Sequence, residues 1–272
     1  MLTPLYFDIL RTIIYENTGI VFEEKKSYFV ENRVKEHMEE LGISSLKDYI
    51  FKLKKDKNIL RDFISKITVN ETYFYREYYH LKALAFLVQK ENFGFPIRIL
   101  SIPCSTGEEP YSIAIVLSEV LINPLNFEIT GVDIDKNAII KAKQGIYSKR
   151  SISKLPSQYL KKYFIEINNE RWQIKDTLKK RVKFYEGNVL DRIFLKGLGK
   201  FHYVFCKNLL IYFDNKARLK AVNNLYDITA EGGYLFLGHA ESISNSTALF
   251  EPVKVEGTIV YRKVTEEEDE EF

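Results

Sequence analysis

Apolar residues recur with helical spacing through the first seventy positions of the chain. Thr3 is a candidate N-cap, Pro4 suits the first helical position, and Gly19 is a candidate stop for the first helix. Three further apolar stripes follow, and Ser44 or Ser45 is a candidate cap for the third helix. The four stripes are Tyr6, Ile9, Leu10, Ile13 and Ile14; Val30, Val34, Met38 and Leu41; Leu46, Tyr49, Ile50 and Leu53; and Leu60, Phe63, Ile64 and Ile67. They predict a small helical bundle.

From Pro96 onward, short β-rich runs alternate with helical stretches. The β-rich runs are 97–102, 127–133, 201–206, 233–238 and 258–261. The helical stretches are 107–121, 138–143 and 215–228. This alternation predicts an α/β fold with a doubly wound, mostly parallel sheet. Ligands of such sheets bind at the carboxyl ends of the strands.

One stretch, from about Phe164 to Tyr185, breaks the alternation. It carries the apolar residues Ile165, Ile167, Trp172, Ile174, Val182 and Phe184, and Asn168-Asn169 is a candidate turn. We predict a small antiparallel insertion, which either covers the sheet or serves as a docking device.

The composition is that of a globular protein. Of its 272 residues, 46% are hydrophobic and 28% are charged, and no apolar run has the length of a membrane span. The N-terminus lacks a basic region followed by an uninterrupted apolar stretch, so we expect no secretory signal. Cys104 and Cys206 have no metal-ligand spacing and are interpreted as buried thiols. We therefore expect a cytoplasmic protein that is not membrane-embedded and has no metal site.

Charge is distributed unevenly. Residues 265–272 contain six acids and no base, so removing their charges changes the net charge from +3 to +9. We interpret this segment as a disordered acidic tail. The basic body favours an acidic partner but is too weakly charged to indicate nucleic acid. In the helical part, the basic residues Lys52, Lys54, Lys55, Lys57 and Arg61 form either a surface for a protein substrate or an ordinary solvated face.

The first chemically suggestive run, 102–111, lies between a strand and a helix. Gly107 would let the backbone approach a nucleotide, and the helix that follows offers free N–H groups. The run is not the G-x-G-x-x-G fingerprint. Glu108 and Glu109 would repel a pyrophosphate but suit a cationic ligand such as S-adenosylmethionine. The alternative is an ordinary turn whose acids complement the helix dipole.

A second run, Gly131-Val-Asp-Ile-Asp135, ends the next strand. Asp133 is placed to bind both ribose hydroxyls of a nucleoside, whereas Asp135 is the better candidate for the cap of the following helix. Because the two runs end successive strands, together they favour a nucleoside site.

Two further runs are rich in polar and aromatic residues. The run 67–77 joins the helical part to the sheet and would equally serve to attach the two domains. In the run 205–213, Asn208 and Tyr212 are polar residues in apolar surroundings, so each needs a partner or a function.

Together these runs resemble the CheR-type chemotaxis receptor methyltransferases. The matching motifs are Asn70-Glu-Thr-Tyr-Phe-Tyr-Arg-Glu, Cys104-Ser-Thr-Gly-Glu-Glu-Pro-Tyr-Ser, Asp133-Ile-Asp, Cys206-Lys-Asn-Leu-Leu-Ile-Tyr-Phe and Gly238-His-Ala-Glu-Ser. They occur in the family's order over about residues 5–262. The resemblance implies a helical domain at 1–75 and a Rossmann-like S-adenosylmethionine-dependent methyltransferase domain at 76–264. It also implies that the β-subdomain at about 164–186 is inserted in the latter.

The resemblance also assigns roles to particular residues. Besides Gly107, those matching the cofactor-binding residues are Asn70, Thr72, Arg76, Glu109, Asp133, Asn188, Val189, Lys207 and Asn208. Arg76 and Tyr212 match the residues that act on the acceptor. Position 207 is Lys where the family usually has Arg, and position 189 is Val where Leu is common. The change at 207 is harmless if that residue contacts the cofactor through its backbone, but it lowers affinity if a forked side chain is needed.

The function implied is methyl transfer from S-adenosylmethionine to glutamate side chains of a chemoreceptor's cytoplasmic domain, with S-adenosylhomocysteine as the other product. We expect a monomer that binds no nucleic acid, and we interpret His239 as structural. One alternative is a cofactor-binding sensor or scaffold without transfer activity. Another is a nucleic-acid amino-methyltransferase, but Asn208-Leu-Leu-Ile stands where those enzymes carry Asn/Asp-Pro-Pro-aromatic.

Overall fold

The first four helices form the predicted bundle. The computed structural model describes residues 3–121, 123, 126–243 and 249–264, so the predicted acidic tail at 265–272 lies outside the described residues. The helices of the bundle are α1 (Pro4–Thr18), α2 (Ser27–Glu40), α3 (Leu46–Lys55) and α4 (Lys57–Ile67).

Local side chains fix the ends of these helices. Thr3 caps α1 and Pro4 occupies its first position, as predicted. Gly19 ends α1 with a φ of +77°, a conformation that glycine adopts without strain. Ser45 caps α3, and Asp56 accepts backbone hydrogen bonds at the start of α4.

The bundle has its own core, and the apolar stripes supply most of it. A buried histidine, His37, also belongs to this core, although it is not part of the predicted stripes. Its Nδ1 lies 2.9 Å from the hydroxyl of Tyr49, and its ring stacks on Phe63. Burial lowers the pKa of His37, so the ring is neutral at pH 7 and packs as part of the core.

The rest of the chain alternates helices and strands. Its helices are α5 (Tyr78–Lys90), α6 (Glu108–Val120), α7 (Lys136–Gln144), α8 (Ser157–Tyr163), α9 (Asp176–Lys179), α10 (Arg192–Gly197) and α11 (Asn215–Ile228). The strands are β1 (Ile97–Ser101), β2 (Phe127–Asp133), β3 (Ile146–Ser148), β4 (Phe164–Asn168), β5 (Arg171–Ile174), β6 (Val182–Glu186), β7 (Phe201–Cys206), β8 (Thr229–Leu237), β9 (Phe250–Val255) and β10 (Thr258–Lys263). The sequence pattern did not predict α5, α8, α9, α10, β3 or β9.

Seven strands form the main sheet, in the order β6-β2-β1-β7-β8-β10-β9. The first five of these run parallel. At one edge, β10 pairs antiparallel with β8 and with β9. Alternate strand residues such as Ile99 and Leu100 point into different hydrophobic clusters. One cluster includes α5 and α6, and the other includes α10 and α11, so helices cover both faces. The predicted α/β fold with a Rossmann-like domain is confirmed.

The small antiparallel sheet has different bounds from those predicted. It has the order β3-β5-β4, so it begins at Ile146, well before residue 164. The strand β6 does not belong to it, because β6 pairs in parallel with β2 in the main sheet. The predicted range 164–186 is therefore wrong at both ends. Alternation along Val182–Glu186 indicates a strand but does not reveal which sheet the strand joins.

Several contacts attach the bundle to the carboxyl end of the main sheet. The guanidinium Nε of Arg61 on α4 donates to Glu186 Oε1 at the end of β6, over 2.6 Å. The backbone N–H of Val21 donates to the carbonyl of Tyr212 at 2.9 Å. Next to it, Ile20 forms an isolated antiparallel bridge with Phe213. The bundle therefore forms one wall of whatever site lies at this edge of the sheet.

Candidate active site

A cavity of about 210 Å³ lies at the carboxyl ends of β1, β2, β6 and β7. The segments that follow these strands line it, together with residues from the bundle and from the connection before α5. All the predicted site residues line this cavity except Gly107; they are Asn70, Thr72, Arg76, Glu109, Asp133, Asn188, Val189, Lys207, Asn208 and Tyr212. The structure thus brings together residues that are up to 142 positions apart.

Gly107 does not line the cavity, contrary to the prediction. It precedes α6 with a φ of +95°, and a Cβ there would lie 2.9 Å from the hydroxyl of Tyr147 and 3.0 Å from Ala142. A glycine is required at this position for close packing against α7 and the small sheet. Ser105 lines the cavity instead, and its backbone N–H donates to Asp133 Oδ2 at 2.7 Å.

Asp133 is a buried carboxylate at the end of β2. Each of its oxygens accepts a backbone hydrogen bond, Oδ2 from Ser105 and Oδ1 from Asp135 at 2.9 Å. A carboxylate offers about four acceptor positions, so Asp133 retains capacity for hydroxyl groups in the cavity. Burial raises the pKa of Asp133 to about 6, which leaves it mostly ionised at pH 7. Asp135 caps α7 through the amides of Asn137 and Ala138, as predicted.

The run 67–77 is tied to these strand ends by polar contacts. Asn70 Nδ2 donates to Asp135 Oδ2, and its Oδ1 accepts from the hydroxyl of Ser105 at 3.2 Å. Arg76 donates to the carbonyl of Glu71 at 2.6 Å, which folds the guanidinium back over its own segment. The same segment packs Phe74 against Tyr147, with ring centroids 4.8 Å apart. The run therefore both attaches the domains and lines the cavity.

Lys207 forms a buried ion-pair cluster at the end of β7. Its Nζ lies 2.9 Å from Glu77 Oε2 and 3.0 Å from Glu109 Oε2, and the residue is only 6% exposed. Glu109 Oε1 also accepts from the hydroxyl of Ser101 at 2.9 Å. Burial opposes the charge on Lys207, but the two carboxylates outweigh it and raise the pKa of the ammonium. The side chain of Lys207 therefore stabilises the structure through its two ion pairs.

Glu77 contacts the site through Lys207, and the sequence analysis did not predict it as a site residue. Besides Lys207, its Oε1 accepts from the backbone N–H of His239 at 3.0 Å. Burial acts to raise the pKa of Glu77, but Lys207 and the His239 amide outweigh it and lower the pKa below its usual value. Glu77 ends the first family motif, so the motif marked the residue without indicating its partner. His239 itself does not line the cavity.

Asn188 and Val189 follow β6 and line the cavity. The Asn188 side chain donates to the carbonyl of Asn17 in α1 at 2.8 Å and accepts from the amide of Leu190 at 2.9 Å. The carbonyl of Val189 accepts from Asn224 on α11 at 2.9 Å. These contacts fix the turn between the bundle and the sheet.

Tyr212 lies at the rim, in a short 3-10 turn spanning Leu210–Tyr212. Its ring is about one third exposed and lies 5.9 Å from the Lys26 ammonium, and its carbonyl accepts from Val21. Tyr212 thus lines the cavity and also contacts the bundle.

Comparison with known proteins identifies the family. Residues 6–68 match the model of the CheR methyltransferase all-alpha domain, and residues 70–259 match the model of the CheR methyltransferase SAM-binding domain. The chain belongs to the CheR methyltransferase family. It is therefore an S-adenosylmethionine-dependent methyltransferase. The family models divide the chain close to the boundary between the helical bundle and the cavity-lining run.

Relatives of similar length carry matching names. A chemotaxis protein methyltransferase 2 of Vibrio cholerae is 38% identical over 258 residues, covering 92% of this chain and 90% of the relative. A chemotaxis protein methyltransferase of Borreliella burgdorferi is 36% identical, covering 87% and 88%. A chemotaxis protein methyltransferase 1 of Pseudomonas aeruginosa is 32% identical, covering 94% and 97%.

The chemistry of the cavity fits this cofactor. Glu109 and Asp133 suit the cationic groups and the ribose hydroxyls of S-adenosylmethionine, respectively. Two carboxylates on a single ammonium leave the Lys207 cluster with one excess negative charge, which attracts a cationic ligand.

Among the described residues, no group of His, Cys, Asp or Glu side chains is arranged to hold a metal ion. No helix within that part of the chain is long and apolar enough to cross a membrane.

Replacing Asp133 should weaken cofactor binding. Asp133→Ala should cost about 1–3 kcal/mol in affinity for S-adenosylhomocysteine, because the ribose hydroxyls lose a buried acceptor. The raised pKa of Asp133, about 6, adds a pH dependence. Protons compete with the ligand for the carboxylate, so wild-type affinity should fall on acidification through that value. Calorimetry across this pH range should show a flatter profile for Asp133→Asn. Wild-type affinity in the Ala variant would rule out a nucleoside site at the end of β2.

Removing the Lys207 ammonium should destabilise the fold as well as the site. Lys207→Met leaves the largely buried carboxylates of Glu77 and Glu109 without their cation, at a cost of about 3–5 kcal/mol in the free energy of unfolding. Lys207→Arg keeps the charge and should cost clearly less. Urea denaturation measures both, with Lys254→Met on the exposed face of β9 as a control. Equal stability of Lys207→Met and the control would contradict the structural role assigned to the ion pairs.

Proposed function

We propose that this methyltransferase esterifies glutamate side chains on the cytoplasmic domain of a chemoreceptor, acting as a monomer in the cytoplasm. The observation that carries the proposal is the match to both CheR domains over almost the whole chain, together with the chemotaxis names of relatives that it spans nearly end to end. The two cysteines are free thiols, in keeping with a reducing compartment.

The proposed reaction does not require the protein to transfer a proton. A glutamate carboxylate has a pKa of roughly 4.3, so it is already ionised at neutral pH and needs no general base. S-adenosylmethionine supplies a methyl group on a positively charged sulfur. The carboxylate oxygen forms the new bond to that carbon while the sulfur retains the electron pair of the bond that breaks. Opposite charges cancel in this step, and a site that excludes water favours their cancellation.

Positioning is then the main task of the surrounding side chains. In this proposal Asp133 binds the ribose, and Glu109 faces the cationic end of the cofactor. Arg76 orients the acceptor carboxylate, and Tyr212 donates a hydrogen bond to it. Asn70, Thr72, Asn188, Val189, Lys207 and Asn208 shape the remainder of the cofactor site, with Lys207 acting through Glu109. Holding two reactants in line supplies much of the rate enhancement in such reactions.

An apolar groove beside Tyr212 supports a polypeptide as the acceptor. The groove encloses about 240 Å³ and shares Ile20, Val69 and Tyr212 with the cofactor cavity. Its wall includes Tyr28, which is 68% exposed, and Val69, which is 65% exposed. A free amino acid would not need such a surface, whereas residues flanking a glutamate in a protein could pack against it.

The structure removes one residue, Arg61, from the basic face that was predicted for the helical domain. Arg61 is paired with Glu186 and attaches the bundle to β6, so reversing its charge would disturb the domain junction. Arg61 is therefore removed from the proposed acceptor surface. The exposed lysines Lys52, Lys54, Lys55 and Lys57 remain candidates for attracting an acidic receptor surface.

The chemical nature of the product tests the function directly. A methylated glutamate side chain is an ester, which mild alkali hydrolyses to release methanol, whereas methyl groups on lysine, arginine or nucleobase nitrogen survive. Labelled methyl transferred to receptor-containing membranes from the same organism should therefore become volatile after brief alkaline treatment. Boiled enzyme serves as the control. Alkali-stable label, or label on RNA or DNA, would contradict the proposed acceptor.

A further inference from the structure

The carboxylate of Glu241 lies at the centre of the turn that follows β7. Its Oε1 accepts the backbone N–H groups of Leu209 at 2.8 Å and Leu210 at 2.7 Å. Its Oε2 accepts those of Asn208 at 2.8 Å and Gly238 at 2.7 Å. Four backbone donors thus converge on one carboxylate: three from the turn after β7 and one, Gly238, from the connection after β8 that carries Glu241 itself. Backbone N–H groups arranged in this way form a nest suited to an anion.

The backbone on both sides is shaped to fit this carboxylate. Asn208 has a φ of +59°, in the left-handed region, which turns its N–H toward Glu241. At Gly238, a Cβ would lie 2.7 Å from Glu241 Oε2 and 3.0 Å from the Asn208 nitrogen. A side chain at 238 would therefore push the two connections apart. The glycine and the glutamate of the motif Gly238-His-Ala-Glu-Ser serve the same contact.

The turn that Glu241 holds carries residues of the active site. Asn208, Leu209, Ile211 and Tyr212 line the cavity, whereas Glu241 does not. We propose that Glu241 is a positioning residue, which sets the turn 208–212 in its productive conformation before the ligands bind. The inference rests on the proposed function only for the role of Tyr212 toward the acceptor. Its action on Asn208 concerns the cofactor site alone.

The charge of Glu241 is part of this role. Hydrogen bonds from N–H groups to an ionised carboxylate are stronger than those to a neutral acceptor. In Glu241→Gln, an amide NH₂ would face two of the four backbone donors and could not accept from them. The variant has the same size, so it removes acceptor capacity without opening a cavity. Depending on the orientation of the amide, the turn would lose one or two of its three hydrogen bonds to this side chain.

Steady-state kinetics with a double-mutant cycle tests the proposal. Glu241→Gln should lower kcat for methyl transfer by on the order of 10²-fold, because the reacting groups lose their alignment. Tyr212→Phe should slow the wild type but have little further effect in the Glu241→Gln background, since the phenol is already misplaced there. Glu128→Gln, on the exposed side of β2, is the matched control and should retain wild-type kinetics. Independent, multiplicative effects of Glu241→Gln and Tyr212→Phe would overturn the proposal, as would an unchanged kcat.

Hydrogen exchange on the wild type gives a second test that does not depend on how the variant folds. In the protein without ligand, the amides of Asn208, Leu209 and Leu210 should exchange slowly, as they are bonded to Glu241 before any cofactor arrives. Fast exchange that slows only when S-adenosylhomocysteine is added would overturn the proposal. A wild type that transfers no alkali-labile methyl would contradict the proposed function instead, and would leave the hydrogen-exchange result to decide on Glu241.

Discussion

The buried ammonium of Lys207 is the contact on which the site depends most. Lys207 follows β7, and its ammonium pairs with Glu77, which precedes α5, and with Glu109 on α6. A buried charge is costly unless it is paired and hydrogen-bonded, and here two carboxylates neutralise one cation. Three segments that are distant in sequence are thereby fixed at one edge of the sheet. The fork of an arginine is not required for this, because a single ammonium reaches both carboxylates.

The same cluster sets the electrostatics of the cavity. One negative charge in excess, together with ionised Asp133, favours a ligand with cationic groups over a pyrophosphate. We expect electrostatic attraction to draw the cofactor to this wall. On the side of the bundle, Ile20 and Val21 pair with the segment that carries Tyr212 and Phe213. The structure therefore combines a charged inner wall with an apolar entrance. That division suits a reaction in which an anionic acceptor meets a cationic donor and both charges disappear.

Much of this organisation could be predicted from the sequence, because periodicity and motifs are local signals. The four helices of the bundle and the alternating sheet follow from apolar spacing, and the motifs gather at the strand ends as expected. The strand that each strand pairs with, and the side chains that each residue contacts, could not be predicted in the same way. The strand β6 has the alternation of any strand, and only its hydrogen bonds to β2 assign it to the main sheet. Gly107 has the sequence context of a nucleotide loop, yet its environment is the packing against Tyr147 and Ala142. The pairings of Arg61, Glu77 and Glu241 span long stretches of chain and leave no local pattern.

A crystal structure with S-adenosylhomocysteine bound would test the central claim most directly. We expect the ligand in the cavity at the ends of β1, β2, β6 and β7, with both ribose hydroxyls on the Asp133 carboxylate. The amino group should lie near Glu109, and the Lys207 ion pairs should be unchanged. A ligand whose ribose lies away from Asp133, or a site in which Lys207 has left Glu109 to bind the ligand, would contradict it.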